Sequence, residues 1–165
     1  MTNRSKYYIV VNMNNESTQH VRNESDEKIR VFEEKCRKMG LKVTPQRVVI
    51  YRELIGSDEH PSAEMLFERV RKTLPSISLD TVNRTLVTLS QKGLAYVLEG
   101  SGDARRYDGG LSNHQHFRCI KCKRILDFHH EPFDDIQLPE GILKDCTVLR
   151  KTVYIEGICN LCSEE

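Results

Sequence analysis

Apolar residues recur every three or four positions through the first half of the chain, and this spacing predicts helices. The first predicted helix begins at Ser25, a candidate N-cap, and ends before Gly40, a residue that suits the position after a helix. Three further helices are predicted to begin at the N-cap residues Thr44, Ser62 and Ser78. The first half of the chain is therefore predicted to be a small helical bundle.

A change from helical to strand-like spacing follows the fourth predicted helix. Residues 95–99 and 104–108 predict two strands, which the turn-rich residues 100–103 join into a hairpin. Helices followed by a short hairpin are typical of a winged helix-turn-helix, in which one helix enters the major groove of DNA. We predict a flexible N-terminal extension at residues 1–25 and a winged-helix DNA-binding domain at residues 26–108.

The remaining residues, 109–165, begin with two glycines and predict a second, smaller α/β domain. Residues 117–128 and 147–159 are strand-rich, and the prolines and glycine of 131–145 limit any helix there to a turn or two. A unit of this size buries too little apolar surface to be stable alone, so we expect it to need a metal, a partner subunit or both. The predicted fold class is α+β.

Composition adds little to this picture. The chain has 165 residues, of which 38% are hydrophobic and 30% are charged, as is ordinary for a globular protein. No apolar run approaches the roughly 20 residues of a transmembrane helix, and no export signal is evident, so we expect a cytoplasmic protein with no membrane partner. The net charge of +1 does not indicate a nucleic-acid partner, but residues 35–52 carry several basic residues and no acid. Such a run is usually a solvated face, and phosphate contact is the alternative.

Four cysteines form two Cys-x-x-Cys pairs, a spacing typical of a zinc site: Cys119, Cys122, Cys159 and Cys162. Thiolates around one tetrahedral zinc lie about 3.7 Å apart. The alternative of redox dithiols lacks a thioredoxin-like βαβ pattern. Four thiolates leave no open coordination position, so the zinc would be structural. The other cysteines, Cys36 and Cys146, are expected to be small buried hydrophobes.

A second set of donors combines histidine and aspartate. His114 and His116 are two apart on a predicted strand, so both imidazoles point to the same side. Asp127 ends the following strand region, Asp108 ends the wing, and His60 lies in the loop before the third helix. Nitrogen and carboxylate donors suit Fe²⁺, Mn²⁺ or Zn²⁺ and hold an ion more exchangeably than thiolates do. Individually, His60 is more often an ordinary loop histidine, and Asp108 and Asp127 are more often ordinary charges at strand ends.

The motifs together resemble the ferric uptake regulator family over roughly residues 26–162. They are Thr44-Pro45-Gln46-Arg47, Ser78 to Arg84, His114-Gln115-His116-Phe117-Arg118-Cys119-Ile120-Lys121-Cys122, and Cys159-Asn160-Leu161-Cys162. The resemblance implies a homodimeric transcriptional repressor with an N-terminal winged-helix domain, a C-terminal dimerisation domain and a structural zinc held by the four cysteines. A small metalloenzyme is the alternative from another class, but a saturated ligand set without a spare general acid or base argues against an enzyme.

Within the family, the sequence most resembles the peroxide-stress branch. That branch's regulatory ligands fall on His60, Asp108, His114, His116 and Asp127, and iron-uptake repressors usually have Glu where Asp108 stands. The resemblance implies Fe²⁺ or Mn²⁺ at this site, and oxidation of His60 and His114 when the Fe²⁺ form meets peroxide. An iron-responsive uptake repressor is the alternative within the family. A further metal site of many iron-uptake regulators is expected to be missing, because its ligand positions carry Asn113, Gln115 and Lys151.

The fourth helix is the predicted recognition helix for a pseudo-palindromic double-stranded DNA operator. Val82, Leu86 and Leu89 are expected to pack inward. Six residues are predicted to contact DNA: Lys42, Arg47, Thr81, Asn83, Arg84 and Thr85. The family usually has Tyr at the position of Asn83, and Asn can read adenine through paired hydrogen bonds.

Overall fold

The structure is a computed structural model, and it describes residues 18–98 and 104–163. The described residues fall into two units, a first unit that ends at Leu111 and a second unit that begins at Ser112. The predicted turn at 100–103 and most of the predicted N-terminal extension lie outside the described residues. Within the described ranges, no helix is both long enough and apolar enough to cross a membrane.

The first unit consists of helices followed by a hairpin. Its elements are α1 (Thr18–Lys38), α2 (Pro45–Ile55), α3 (Ala63–Thr73), α4 (Leu79–Gln91), β1 (Tyr96–Leu98) and β2 (Arg106–Asp108). The side-chain oxygens of Thr44, Ser62 and Ser78 each accept a hydrogen bond from the backbone N–H three residues later. These three predicted N-caps are thereby confirmed.

Helix α1 begins earlier than predicted. Ser25 lies inside the helix, so its assignment as the N-cap was wrong. The segment from Thr18 to Lys38 contains neither proline nor glycine, so nothing in it interrupts the helical backbone.

The core of the first unit lies between the four helices and the hairpin. Val82, Leu86 and Leu89 of α4 are fully buried, as predicted, and they pack with side chains from every other helix. Burial of each such side chain stabilises the fold by about 1.5–3 kcal/mol. Strands β1 and β2 pair antiparallel, and Tyr107 of β2 is buried in the same core.

The second unit is a three-stranded sheet with short helical segments. It contains β3 (Gln115–Cys119), β4 (Ile125–Phe128), a 3₁₀ turn (Glu131–Phe133), α5 (Glu140–Asp145), β5 (Tyr154–Gly157) and α6 (Asn160–Ser163). The strand order is β4-β3-β5, with β3 antiparallel to β4 and parallel to β5. The predicted strand region 147–159 contains one strand of four residues, and residues 147–153 form no regular element.

Much of the apolar surface of the second unit is exposed. Leu149 is 93% exposed, and Leu143 and Leu161 are each 57% exposed. Cys146 is also exposed, so the prediction that it is buried was wrong, whereas Cys36 is buried as predicted. The cause lies in the surroundings of Cys146, because residues 139–152 are all exposed and offer it nothing to pack against.

Candidate metal centres and nucleic-acid interface

The four cysteines of the second unit form one cluster. Cys119 ends β3, and the parallel register pairs it with Gly157 of β5, two residues before Cys159. The four sulfur atoms all lie within 4.8 Å of one another, and the Sγ atoms of Cys122 and Cys159 are 3.7 Å apart. Sulfur ligands at about 2.3 Å from a tetrahedral zinc are separated by about 3.7 Å, so this spacing fits zinc.

Two backbone features bring the cysteine pairs together. Lys123 has a φ of 63°, and its N–H donates to the carbonyl of Cys119 at 2.9 Å, which closes the first Cys-x-x-Cys loop. A Cβ at Gly157 would lie 2.9 Å from Cε2 of Phe117, so a residue without a side chain lets β5 approach β3 closely.

The thiols of the cluster have very different acidities. Backbone N–H donors, above all that of Cys159, lower the pKa of Cys119 to about 6. Burial, followed by hydrogen bonds with the neighbouring thiols, raises the pKa of Cys162 to about 12. The cluster therefore stabilises a thiolate at Cys119 and a thiol at Cys162, and a zinc ion that binds all four sulfurs must displace the remaining protons.

A second donor set in this unit joins β3 to β4. The antiparallel register places His116 opposite Asp127. The Nε2 atoms of His114 and His116 are 3.0 Å apart, and Oδ1 of Asp127 lies 3.8 Å and 3.5 Å from them, respectively. Two nitrogen ligands about 2.1 Å from one ion, at right angles to each other, would also be about 3.0 Å apart. His116 is fully buried, whereas Asp127 is half exposed.

The first unit carries its own pair of predicted ligands. His60 and Asp108 are both buried, and Nε2 of His60 lies 4.0 Å from Oδ1 of Asp108. That distance is too long for a direct hydrogen bond between these two atoms. The backbone N–H of Gly110 donates to Asp108 Oδ1 at 2.6 Å. Each unit thus brings together its own members of the predicted regulatory ligand set.

The solvent-facing side of α4 displays polar residues. Asn83 and Arg84 are exposed, and the Arg84 guanidinium forms an ion pair with Asp80 at 2.9 Å. Thr81 is half-buried at the start of the helix, where its hydroxyl lies 2.9 Å from that of Ser78. The exposed face of α4 is therefore polar and carries hydrogen-bonding side chains.

The other predicted DNA contacts differ in exposure. Thr85 is buried, on the inward side of α4 with Val82 and Leu89, so its hydroxyl does not belong to the exposed face. Lys42 is exposed, and the half-buried Arg47 donates from its guanidinium to the Lys42 carbonyl.

Asp134 is a hydrogen-bonding centre that the sequence did not reveal. Its carboxylate accepts hydrogen bonds from the amides of Asn113 at 2.7 Å and Gln115 at 2.8 Å, and it lies 3.0 Å from Nε2 of His129. The Lys151 ammonium donates to the Asp134 carbonyl at 3.0 Å. The residues that stand at the expected positions of a further metal site are therefore engaged with Asp134. In the sequence, the only indication of this network was that the amide residues Asn113 and Gln115 alternate with His114 and His116.

The chain combines a winged-helix unit with a unit that carries a four-cysteine cluster and a histidine–carboxylate set, and these features place it in the class of metal-binding, winged-helix proteins. The sequence model of the ferric uptake regulator family matches residues 38–154. The peroxide-responsive repressor PerR of Staphylococcus epidermidis is 33% identical over 78% of this chain and 86% of its own length. The chain belongs to the ferric uptake regulator family, and it is a metal-responsive regulator of that family.

Solved structures share the fold. The Helicobacter pylori ferric uptake regulator, whose structure reveals three functional metal binding sites in that protein, matches with a TM-score of 0.69 and 24% identity, over 86% of this chain and 95% of that one. The Campylobacter jejuni peroxide stress regulator matches with a TM-score of 0.62 and 27% identity, over 81% of this chain and 98% of that one.

Proposed function

We propose that this protein is a homodimeric DNA-binding repressor that senses hydrogen peroxide through Fe²⁺ at a regulatory site and represses without sensing when Mn²⁺ is bound there. The observation that carries the proposal is the convergence of two imidazoles and a carboxylate, those of His114, His116 and Asp127, on the β3–β4 pair. Nitrogen and oxygen donors of this kind suit Fe²⁺ and Mn²⁺. The 33% identical relative that is a peroxide-responsive repressor supports the same assignment.

In this proposal, the regulatory ion also binds His60 and Asp108, so that its ligands come from both units. Both residues are buried, and their donor atoms are 4.0 Å apart, a separation that two ligands of one ion can span when each lies about 2.1 Å from it. An ion with ligands from two units favours the arrangement in which all of them converge. A coupling of about 1–3 kcal/mol would change DNA affinity about 5- to 150-fold.

We assign DNA binding to the N-terminal part of the chain and dimerisation to the C-terminal part. Residues 26–108 bind DNA, with Asn83, Arg84 and Thr81 of α4 toward base edges and Lys42 and Arg47 toward phosphates. Thr85 is left out of this surface because it is buried. Residues 109–165 form the dimerisation domain, in which the exposed apolar side chains would meet a second copy. A symmetric dimer reads a pseudo-palindromic operator.

The cysteine cluster is proposed to hold one structural Zn²⁺ through Cys119, Cys122, Cys159 and Cys162. With four protein thiolates the site has no open position, so the ion supports the fold and takes no part in sensing. The small buried core of the second unit supports this role.

Bound Fe²⁺ would supply the electron-transfer chemistry that lets hydrogen peroxide oxidise a ligand. In the net reaction, one oxygen atom of H₂O₂ is added to the imidazole ring of His60 or His114. H₂O₂ is reduced to water while the ring loses two electrons and gains that oxygen. The oxidised ring is a poorer metal ligand, so the ion is released and the DNA-binding arrangement is lost.

The test compares the wild-type protein with His114→Ala and with the control His129→Ala, a histidine of the same unit that lies beside Asp134. Each is loaded anaerobically with Fe²⁺ or Mn²⁺, mixed with genomic promoter fragments and treated briefly with peroxide. We expect His114→Ala to lose metal-dependent DNA binding but to keep its zinc, and His129→Ala to behave as wild type.

Peptide mass spectrometry completes the test. The wild-type Fe²⁺ protein should release DNA with one added oxygen on His60 or His114, and the Mn²⁺ protein should do neither. Metal-dependent DNA binding without histidine oxidation would instead identify an iron-responsive uptake repressor. A retained metal response in His114→Ala would contradict the regulatory site itself.

A further inference from the structure

The loop before α3 has an unusual backbone at a predicted metal ligand. His60 has a φ of 49°, in the left-handed region that residues other than glycine rarely adopt, and its side chain is 2% exposed. Such a conformation persists only when surrounding contacts hold it, and it is common at functional sites.

Strand β2 supplies those contacts. The Arg106 guanidinium donates from Nε to the carbonyl of His60 and from Nη2 to the carbonyl of Glu59, the latter at 2.6 Å. The next backbone N–H along the strand, that of Tyr107, donates to the carbonyl of Pro61 at 3.0 Å. The carbonyls on both sides of His60, as well as its own, therefore accept hydrogen bonds from Arg106 and Tyr107 of β2.

The same strand also carries the other ligand of this unit. Asp108 follows two residues after Arg106, so both side chains project from the same face of β2. Tyr107, between them, is 2% exposed in the core and fixes the strand to the helices. The position of His60 relative to Asp108 is thus set by a single three-residue strand.

We propose that Arg106 is a positioning residue of the regulatory metal site: it holds His60 in the left-handed conformation and so sets the donor geometry of His60 toward Asp108. This inference rests on the proposed function. An arginine suits the role because its planar, forked guanidinium reaches two carbonyls at once, whereas a lysine ammonium lacks that fork. Arg106→Lys therefore keeps the charge and removes the bridge.

The matched control is Arg105→Lys, which makes the same chemical change at the exposed neighbouring residue. The first measurement is amide hydrogen exchange of the zinc-containing protein without regulatory metal. The backbone amides of residues 57–60 should exchange faster in Arg106→Lys than in wild type or the control, with exchange in α4 unchanged. The second measurement is Mn²⁺ affinity, which should fall about 10- to 100-fold, the usual effect of removing a group that orients a metal ligand.

A third measurement separates positioning from general stability. After peroxide treatment of the Fe²⁺ protein, the ratio of oxidised His60 to oxidised His114 should fall in Arg106→Lys and stay at the wild-type value in Arg105→Lys. A merely structural role would reduce both oxidation products together.

The outcomes distinguish the two proposals. If the wild-type protein binds no Mn²⁺ and oxidises neither histidine, the proposed function fails, and the role of Arg106 fails with it. If the wild type binds Mn²⁺ but Arg106→Lys matches it in loop exchange, affinity and oxidation ratio, Arg106 is not a positioning residue and the proposed function stands.

Discussion

Replacement of Gly109 by alanine tests how tightly the end of β2 packs against α2. Gly109 directly follows Asp108, and a Cβ there would lie 2.8 Å from Cγ2 of Ile55, 3.1 Å from Cγ of Leu54 and 3.3 Å from Cα of Ile55. Carbon atoms in favourable contact are about 3.5–4.0 Å apart. Leu54 is buried and Ile55 Cα is helix backbone, so relief requires movement of an element, not rotation of one side chain.

The expected magnitude combines two opposing effects. Overpacking of a filled site costs about 1–3 kcal/mol. Alanine also has less conformational freedom than glycine in the unfolded chain, which stabilises the folded protein by about 0.4–1 kcal/mol. This gain applies at Gly109 because its φ is not in the positive range that is strained for alanine. We expect Gly109→Ala to lower the free energy of unfolding of the first unit by about 1–2 kcal/mol.

Gly141→Ala is the matched control, since nothing lies within 4 Å of a Cβ at Gly141 in α5. It should be neutral or stabilise by up to about 1 kcal/mol. Native-state hydrogen exchange of the most protected amides in α2 reports the free energy of opening of the first unit separately from the second. A Gly109→Ala protein as stable as wild type would refute the close approach of β2 to α2.

Two further predictions concern the zinc cluster and a buried phenol. Cys159→Ser should lose its zinc, unfold the second unit and abolish the dimer, since a structural zinc contributes on the order of 10 kcal/mol. The exposed Cys146→Ser control should retain both zinc and dimer by metal analysis and light scattering, and a zinc-loaded Cys159→Ser dimer would contradict the assignment. Burial raises the pKa of Tyr51 from 10.0 to about 12, so its contribution to stability is complete below pH 10 and is lost as the pH rises through about 12. Between pH 10 and about 12, the free energy of unfolding measured with urea should therefore fall by about 2–3 kcal/mol more in wild type than in Tyr51→Phe. Parallel pH profiles of the two proteins would contradict this prediction.

Features set by local sequence were the ones that could be predicted. Thr44, Ser62 and Ser78 bond to the N–H three residues later, so each cap depends only on its own segment. Ser25 shows the limit of such signals, because a capping residue marks a helix start only when the preceding residues are not themselves helical. The inward position of Thr85 could have been predicted from its spacing to Val82 and Leu89.

Features that depend on contacts between distant residues could not be predicted. The Cys-x-x-Cys spacing indicated zinc, but the β3–β5 register brings the two pairs together. Arg106 bonds to a carbonyl 46 residues earlier in the chain, and no local pattern marks that contact. Asn113 and Gln115 were visible in the sequence, but their shared partner Asp134, 21 and 19 residues later in the chain, was not.

The most direct measurement is an anomalous-scattering map of the Mn²⁺-loaded, zinc-containing crystal, recorded at the manganese absorption edge. We expect one manganese peak in each subunit, bound by His60 and Asp108 together with His114, His116 and Asp127, and none at Asp134. A peak held by ligands of one unit alone, or located elsewhere, would contradict the account.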